Sequence, residues 1–371
     1  MTGKRLLIAA GGTGGHMFPA RAAAEALIAR GWQVRLVTDA RGARHAAGFP
    51  GEGVDIIAAS SPFVKNPVRL AGALADLTRG LFQTRAVIAR FNPSAVAGFG
   101  GYPAFPALLA AQMRLRPLPV LIHEQNAVLG RVNRVFAARA FAVASGFERL
   151  DRLAPRARHV ATGNPVRAGV LEAGRRDYQP PEKDGDIRLL VLGGSLGARI
   201  LADVVPEAVS RLPQTLRARL DVVQQTREDD LERARDVYRQ AGVRAELSPF
   251  FDDMGARYGQ AHLVISRAGA SSVSEVAAVG RPAVFVPLKI AMDDHQTANA
   301  QALVEAGAAQ AVSEDAFTPE ALSRLLETWL TDGEALAARA ASARAAGRRD
   351  AHERLADLVE SAVEPSLNAA D

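Results

Sequence analysis

Two short apolar runs end in glycine-rich turns of the kind that hold phosphate. Arg5-Leu6-Leu7-Ile8-Ala9-Ala10 leads into Gly11-Gly12-Thr13-Gly14-Gly15-His16, and Arg188-Leu189-Leu190-Val191-Leu192 leads into Gly193-Gly194-Ser195-Leu196-Gly197-Ala198-Arg199. Glycine between a strand and a helix lets the backbone approach a ligand, and it aims N–H groups and the positive helix end at an anion. One such loop reads equally well as a tight turn. Two loops, each opening a sheet, favour a phosphate-bearing ligand. The first loop meets only two positions of the dinucleotide fingerprint, because Met17 stands at the third, yet Asp39 lies where a ribose-binding acid would. A nicotinamide enzyme therefore stays as a rival. His16 follows the first loop, and an imidazole there suits a general base. It can equally hydrogen-bond a substrate or cap the helix. His123 and Glu124 close a later strand and are fallback bases.

Other chemistries are poorly supplied. The chain has no cysteine, which excludes disulfides, thiolate metal sites and cysteine nucleophiles. Asp184-Gly185-Asp186 is a D-x-D, but it sits in a polar stretch before a strand and reads as a turn. Asp252-Asp253 and Asp293-Asp294 lack companions at metal-ligand spacing. No metal and no cofactor is expected.

The elements that must carry these residues form two halves. After the first opening, strands are expected at 33–38, 54–58, 95–98, 120–123, 141–144 and 160–162. After the second they are expected at 220–224, 245–247, 263–266, 283–286 and 309–312, with helical stretches between most of them. Such alternation predicts α/β domains with parallel sheets wound on both faces. The openings lie about 180 residues apart, far beyond solenoid periods. A hinge is expected at Thr162-Gly163-Asn164-Pro165, where glycine and proline break both periodicities. The expected domains are 1–163, joined by a C-terminal helix at 348–371 that packs back on it, and 164–347. Gly174 to Gly185 reads as a surface loop, and the Ala/Arg/Leu-rich tail reads as two helices broken at Gly347.

A set of ordered motifs carries a resemblance. Gly11-Gly12-Thr13-Gly14-Gly15-His16 with Phe18-Pro19, Gly100-Gly101-Tyr102, His123-Glu124-Gln125-Asn126 and Gly163-Asn164-Pro165-Val166-Arg167 come first. Gly193-Gly194-Ser195 with Gly197-Ala198, Ser274-Glu275, and Asp294-His295-Gln296 with Asn299-Ala300 follow. Together they resemble the MurG family, the undecaprenyl-pyrophosphoryl-muramyl-pentapeptide N-acetylglucosaminyltransferases of bacterial peptidoglycan synthesis. The resemblance implies a GT-B fold, two Rossmann-like parallel-sheet domains facing each other across a cleft. It also implies an inverting, metal-independent hexosyl transfer from UDP-N-acetylglucosamine to the 4-hydroxyl of an undecaprenyl-linked acceptor, lipid I becoming lipid II. The implied place is the cytoplasmic face of the bacterial inner membrane, as a peripheral protein, with cell-wall synthesis or division proteins as partners. A UDP-sugar 2-epimerase of the same fold and a non-catalytic UDP-sugar-binding subunit are the alternatives.

The resemblance also assigns residues. His16 would be the base, with Glu124 polarising it or, like His123, replacing it. Thr13, Gly14, Gly15 and Tyr102 would line the acceptor side, their loop facing the acceptor pyrophosphate. Asn126 would bind donor sugar or acceptor, or it is a turn asparagine before Gly130. Ser195 and the start of the helix that follows it would hold donor phosphate, Arg167 would pair with the pyrophosphate, and Ala270, Ser271 and Ser272, at a later helix start, would bind the donor. Glu275 would bind the ribose hydroxyls, although Ser272-Val273-Ser274-Glu275 also fits a capping box. Phe251 would lie near the uracil or in the core. Gln296 would meet the donor sugar, and His295 stands where many members have a further glutamine.

The charge pattern bears on the lipid. The formal net charge is +5, and lysine occurs only at 4, 65, 183 and 289, so arginine supplies most of the basic charge. These arginines are scattered and not clustered with aromatics, which argues against a nucleic-acid partner. No stretch offers the run of about 18 apolar residues that a membrane span needs. Leu70, Leu74, Leu77 and Leu81 share one helical face with the pattern of a core-facing stripe. Lys65, Arg69, Arg79 and Phe82 around them are the candidates for contact with an anionic membrane surface.

Overall fold

The computed structural model describes residues 4–12, 14–194 and 197–367. The chain divides into two compact units, Met1–Val166 with Arg349–Asp371, and Arg167–Arg348.

The first unit runs β1 (Arg5–Ala9), α1 (Gly14–Ala29), β2 (Gln33–Thr38), β3 (Val54–Ile56), α2 (Pro67–Phe91), β4 (Ala95–Gly98), α3 (Ala104–Gln112), β5 (Val120–Glu124), α4 (Arg131–Phe136), β6 (Ala142–Ser145) and β7 (His159–Ala161). Its seven strands are parallel and ordered β3-β2-β1-β4-β5-β6-β7. The apolar run of β1 is buried on both faces: Leu6 and Ile8 pack with Met17, Ala20 and Leu27 of α1, while Leu7 and Ala9 pack with Val87 and Ile88 of α2 and Leu108 of α3. That explains why the strand shows no polar alternation. Helix α2 starts where Asn66 accepts hydrogen bonds from the N–H groups of Val68 and Arg69, with Pro67 in the first turn. It ends at Asn92 in a left-handed conformation.

The second unit runs α5 (Ala168–Ala173), β8 (Ile187–Leu192), α6 (Arg199–Ser210), α7 (Gln214–Arg217), β9 (Leu220–Gln225), α8 (Leu231–Gln240), β10 (Arg244–Ser248), α9 (Met254–Gln260), β11 (Leu263–Ser266), α10 (Ala270–Val279), β12 (Ala283–Phe285), α11 (His295–Glu305), β13 (Ala309–Ala311), α12 (Pro319–Leu330) and α13 (Gly333–Ala346). Its six parallel strands are ordered β10-β9-β8-β11-β12-β13. In each sheet the order reverses beside the first strand of the unit, between β1 and β4 and between β8 and β11. In open α/β sheets that reversal opens a ligand crevice at the carboxyl ends of the strands.

The last helix, α14 (Ala351–Leu367), returns to the first unit. Leu355 and Val359 join the α1 side of its core. Arg30 holds Glu353, Asp357 at 2.6 Å and Glu360 at 3.1 Å, and the Trp32 indole donates to Glu360 at 3.0 Å.

One expectation about α2 is corrected. Leu77 is buried, but Leu74 is 52% exposed and Leu70 and Leu81 are half-buried. Over so long a helix a repeat of four, seven and eleven residues drifts around the axis, so only part of the stripe reaches the core.

Candidate active site

In the first unit Ala9 pairs with Val37 on one side and Gly98 on the other, so the chains leaving β1 and β4 emerge side by side. The Phe99 N–H donates to the Ala9 carbonyl at 2.8 Å. Close approach here requires glycine: a Cβ on Gly101 would stand 2.6 Å from the Gly11 carbonyl oxygen, and Gly101 has φ +78°. Gly14 and Gly15 form the first turn of α1. Thr13 lies outside the described residues.

Asp39 braces this turn. Its buried carboxylate accepts from the N–H groups of Gly12 at 3.3 Å and Gly42 at 2.8 Å, and it pairs with Arg41 at 3.1 Å. A carboxylate so engaged shapes a loop. The Arg41 guanidinium lies over the Tyr102 ring, 5.8 Å from its centroid.

His16 is half-buried beside this loop. Its Nδ1 lies 2.8 Å from the Gly11 carbonyl oxygen. A carbonyl only accepts, so Nδ1 carries the proton, and in the neutral ring Nε2 keeps a lone pair. Nε2 lies beside Gly100, 3.1 Å from where a Cβ on that glycine would stand.

The fallback bases are placed otherwise. His123 is buried, its Nε2 donates to the Gly163 carbonyl at 3.2 Å, and its Nδ1 accepts from Gln125 at 3.0 Å. Burial pushes its pKa down to about 4. Glu124 is buried as well. One carboxylate oxygen accepts from the backbone and side chain of Asn126, both at 3.1 Å, and the other accepts from Gly130 N–H and Asn133, both at 2.8 Å. Its four donors come from the turn after β5 and from Asn133 of α4.

In the second unit Arg167 and Glu275 are brought together across 108 residues. Arg167 Nε and Nη2 donate to the two carboxylate oxygens at 2.7 and 2.8 Å. Glu275 is 5% exposed and Arg167 half-buried. Burial and the Glu275 charge push the neighbouring Tyr258 hydroxyl well above its ordinary pKa. The capping-box reading of Ser272 and Glu275 is overturned: α10 starts at Ala270 with Gly269 as its cap, and Ser272 lies within the first turn. Gly269 has no side chain to cap this end, where the first N–H groups of the helix, those of Ala270, Ser271 and Ser272, lie at the positive end of its dipole.

Phe251 is buried, and the Arg257 guanidinium sits 4.0 Å from its ring centroid, whereas its neighbour Phe250 is 64% exposed. Local spacing does not distinguish which of two adjacent aromatics turns outward; here it is Phe250. Gln296 is half-buried and its Oε1 accepts from Leu288 N–H at 3.0 Å, which leaves the amide nitrogen to donate. Ser195 lies outside the described residues. Among the described residues no group of three or more metal-ligating side chains comes together, and Asp184 and Gly185 fall in a turn.

On α2, Val68 is 79% and Phe82 is 64% exposed, with Lys65, Arg69 and Arg79 also exposed. Among the described residues no helix is long and apolar enough to cross a membrane.

Residues 6–145 match the glycosyltransferase family 28 N-terminal domain, and residues 188–355 match the family 28 C-terminal domain. A UDP-N-acetylglucosamine--N-acetylmuramyl-(pentapeptide) pyrophosphoryl-undecaprenol N-acetylglucosamine transferase of Maricaulis maris (strain MCS10) is 59% identical, over 99% of this chain and 100% of its own length. The chain belongs to glycosyltransferase family 28. A second relative of the same description, from Caulobacter vibrioides (strain NA1000 / CB15N), is 48% identical over 96% of this chain and 98% of its own. Among solved structures, Acinetobacter baumannii MurG is 33% identical and superposes with a TM-score of 0.77, covering 96% of this chain and 99% of that one. A putative UDP-N-acetylglucosamine 2-epimerase from Listeria monocytogenes has a TM-score of 0.68 at 19% identity, with 98% and 97% covered, and shares the fold alone. The two parallel-sheet Rossmann-like domains are thus those of a GT-B glycosyltransferase of family 28.

Proposed function

We propose that this chain moves N-acetylglucosamine from UDP-N-acetylglucosamine to the 4-hydroxyl of undecaprenyl-pyrophosphoryl-N-acetylmuramyl-pentapeptide, with inversion at the anomeric carbon. The observation that carries the chemistry is the bond from His16 Nδ1 to the Gly11 carbonyl. It leaves Nε2 as the proton acceptor next to a glycine turn at the carboxyl end of β1. The full-length relatives at 59% and 48% identity support the choice of substrates.

The steps follow from the groups present. His16 Nε2 takes the proton of the attacking hydroxyl. The oxygen attacks the anomeric carbon from the face opposite UDP, and the C–O bond to the pyrophosphate breaks. Negative charge grows on the leaving phosphates, where the uncapped α10 start at Ala270, Ser271 and Ser272 supplies about half a positive charge. Arg167 and Ser195 add to that clamp, and Glu275 takes the ribose hydroxyls. Phe250, the exposed ring, offers the stacking face for uracil in place of Phe251. Gln296 donates to the transferred sugar. In the first unit Gly14, Gly15, Thr13 and Tyr102 receive the acceptor pyrophosphate, and Asn126, bonded to Glu124, meets the sugars.

The lipid-linked acceptor calls for a bilayer. Val68 and Phe82, with Lys65, Arg69 and Arg79, form an apolar surface rimmed by positive charge, which suits the anionic cytoplasmic face of the inner membrane. We place the chain there as a peripheral enzyme of peptidoglycan synthesis, working beside proteins of cell-wall assembly and division. The test is transfer of labelled sugar in the presence of a chelator, with His16→Ala as the comparison. Loss of transfer with donor binding kept supports the assignment, and transfer unchanged in His16→Ala removes His16 as base.

A further inference from the structure

The two edges of the second sheet differ. At one edge β10 carries Arg244 and Glu246, which pair with Asp186 at 2.6 Å and with Arg257 at 2.8 Å. Charges along an edge keep other strands from adding to it. At the other edge β13 reads Ala309-Gln310-Ala311 and has neither charge nor proline. The bonds to β12 decide which of its backbone groups are used. Ala283 N–H donates to the Ala308 carbonyl at 3.4 Å, and Val312 N–H donates to the Phe285 carbonyl at 2.8 Å. Alternate residues of a parallel strand face its neighbour, so Gln310 faces β12 and the backbone groups of Ala309 and Ala311 face away. Ala309 is buried and Ala311 is exposed. The open donor and acceptor are thus those of Ala311, and among the described residues no strand pairs with that side.

Beside this edge lies a cavity of about 440 Å³. Gln310 and Val312 of β13 line it from the sheet, and Phe317, Leu325 and Trp329 line it from α12 and the chain before it. A strand laid along Ala311 turns alternate side chains toward this cavity, level with Gln310 and Val312. Arg324 also lines the cavity and is exposed. The carboxylate that feels its charge, Glu320, is held by Arg211 at 2.7 Å. Arg339 lies over the Trp329 ring, 3.9 Å from its centroid, and donates to the Gly307 carbonyl at 3.3 Å. Among the described residues neither Arg324 nor Arg339 forms a salt bridge.

We propose that this edge is a docking surface for an extended, acidic segment of a partner protein, which adds to β13 as a seventh strand. The N–H and carbonyl of Ala311 pair with its backbone, an apolar side chain fills the cavity beside Trp329, and carboxylates meet Arg324 and Arg339. An edge donor and acceptor on one residue are matched by another peptide backbone, which an acyl chain lacks. A second copy of this chain would set its own Arg324 and Arg339 against these two, so the complement is a segment of opposite charge.

The experiment pans a phage-displayed library of random short peptides against the purified full chain in saturating UDP. The enriched peptides are then resynthesised and titrated by fluorescence anisotropy. They should alternate apolar residues with Asp or Glu. Their affinity should fall about tenfold or more in Ala311→Pro, which removes an N–H that β12 does not use, and in Arg324→Glu, which reverses an exposed charge. Methylating alternate backbone nitrogens of the peptide should cost as much, and serves in place of Ala311→Pro if that variant does not fold. Sugar transfer should be unchanged in both variants. The proposal is overturned if no peptide is enriched, or if the enriched peptides bind either folded variant as they bind wild type. It is also overturned if N-methylated peptides bind as the parents do, or if sedimentation shows a dimer that Ala311→Pro dissociates, which would give this edge to a second copy.

Discussion

The Nδ1 of His16 lies 2.8 Å from the carbonyl oxygen of Gly11, the residue that opens the glycine turn after β1. The bond fixes the tautomer, and the same turn sets where the free nitrogen points. His16→Ala should therefore lower kcat by about 10²- to 10⁴-fold, the range for loss of a positioned general base. UDP affinity should stay within about twofold, since the donor groups belong to the other unit. Steady-state kinetics with UDP titration calorimetry checks both. A kcat within threefold of wild type would contradict the role.

The Arg167–Glu275 pair gives a second expectation. Glu275→Ala removes the carboxylate assigned to the ribose and strands a half-buried guanidinium. UDP should bind about 10- to 100-fold more weakly, as for loss of hydrogen bonds to a charged group. UDP and the 2′,3′-dideoxy nucleotide should then bind alike. Persistent preference for UDP over the dideoxy form in Glu275→Ala would place the ribose elsewhere.

Glu124 should behave as a loop anchor. Glu124→Ala leaves four donors without their acceptor, at a cost of about 3 kcal/mol or more. Thermal unfolding should shift down by roughly 6–12 °C for a unit of this size. A variant as stable as wild type but inactive would assign Glu124 a catalytic role.

Burial of His123 predicts acid sensitivity. Its pKa falls from the ordinary 6.5 to about 4 in the folded chain. Below about pH 6.5 the unfolded chain binds a proton that the folded chain refuses, so stability is full above that pH and declines toward pH 4. His262, depressed to about 4 by burial and by nearby arginines, adds to the same trend. For His123 alone the loss approaches roughly 3 kcal/mol at pH 4. Urea midpoints should drop between about pH 7.5 and pH 5, and the slope should flatten in His123→Phe. A midpoint independent of pH would contradict the buried neutral ring.

The α2 surface should bind anionic vesicles more than zwitterionic ones, and Phe82→Ser with Arg79→Glu should remove most of that binding without changing UDP affinity. Both residues are exposed, so the fold has little stake in them. Cosedimentation measures it, and equal binding by the double variant would point to another surface.

Much of the framework was legible from the chain. Apolar runs such as Leu6–Ala9 and Leu189–Leu192 ending in glycine mark buried parallel strands, because only burial on both faces erases polar alternation. The break at Gly347 also marks the end of α13. What stayed hidden depends on partners far away in sequence. Ser272 and Glu275 have the spacing of a cap, and only Arg167 shows that the carboxylate is otherwise used. His123, Glu124 and Gln125 are adjacent and all polar, yet one relays to Gly163, one holds its own loop, and one turns an oxygen toward Gly100. Side-chain direction at the end of a strand is set by the neighbouring turn, which local spacing does not encode.

The central claim is tested most directly by supplying the purified chain with radiolabelled UDP-N-acetylglucosamine, an undecaprenyl-pyrophosphoryl-N-acetylmuramyl-pentapeptide acceptor and EDTA. The label should pass into the lipid-extractable product with a β-linkage to the C4 oxygen, and this should cease in His16→Ala. Label that remains in the nucleotide sugar, or that emerges as free or epimerised sugar, would contradict the account.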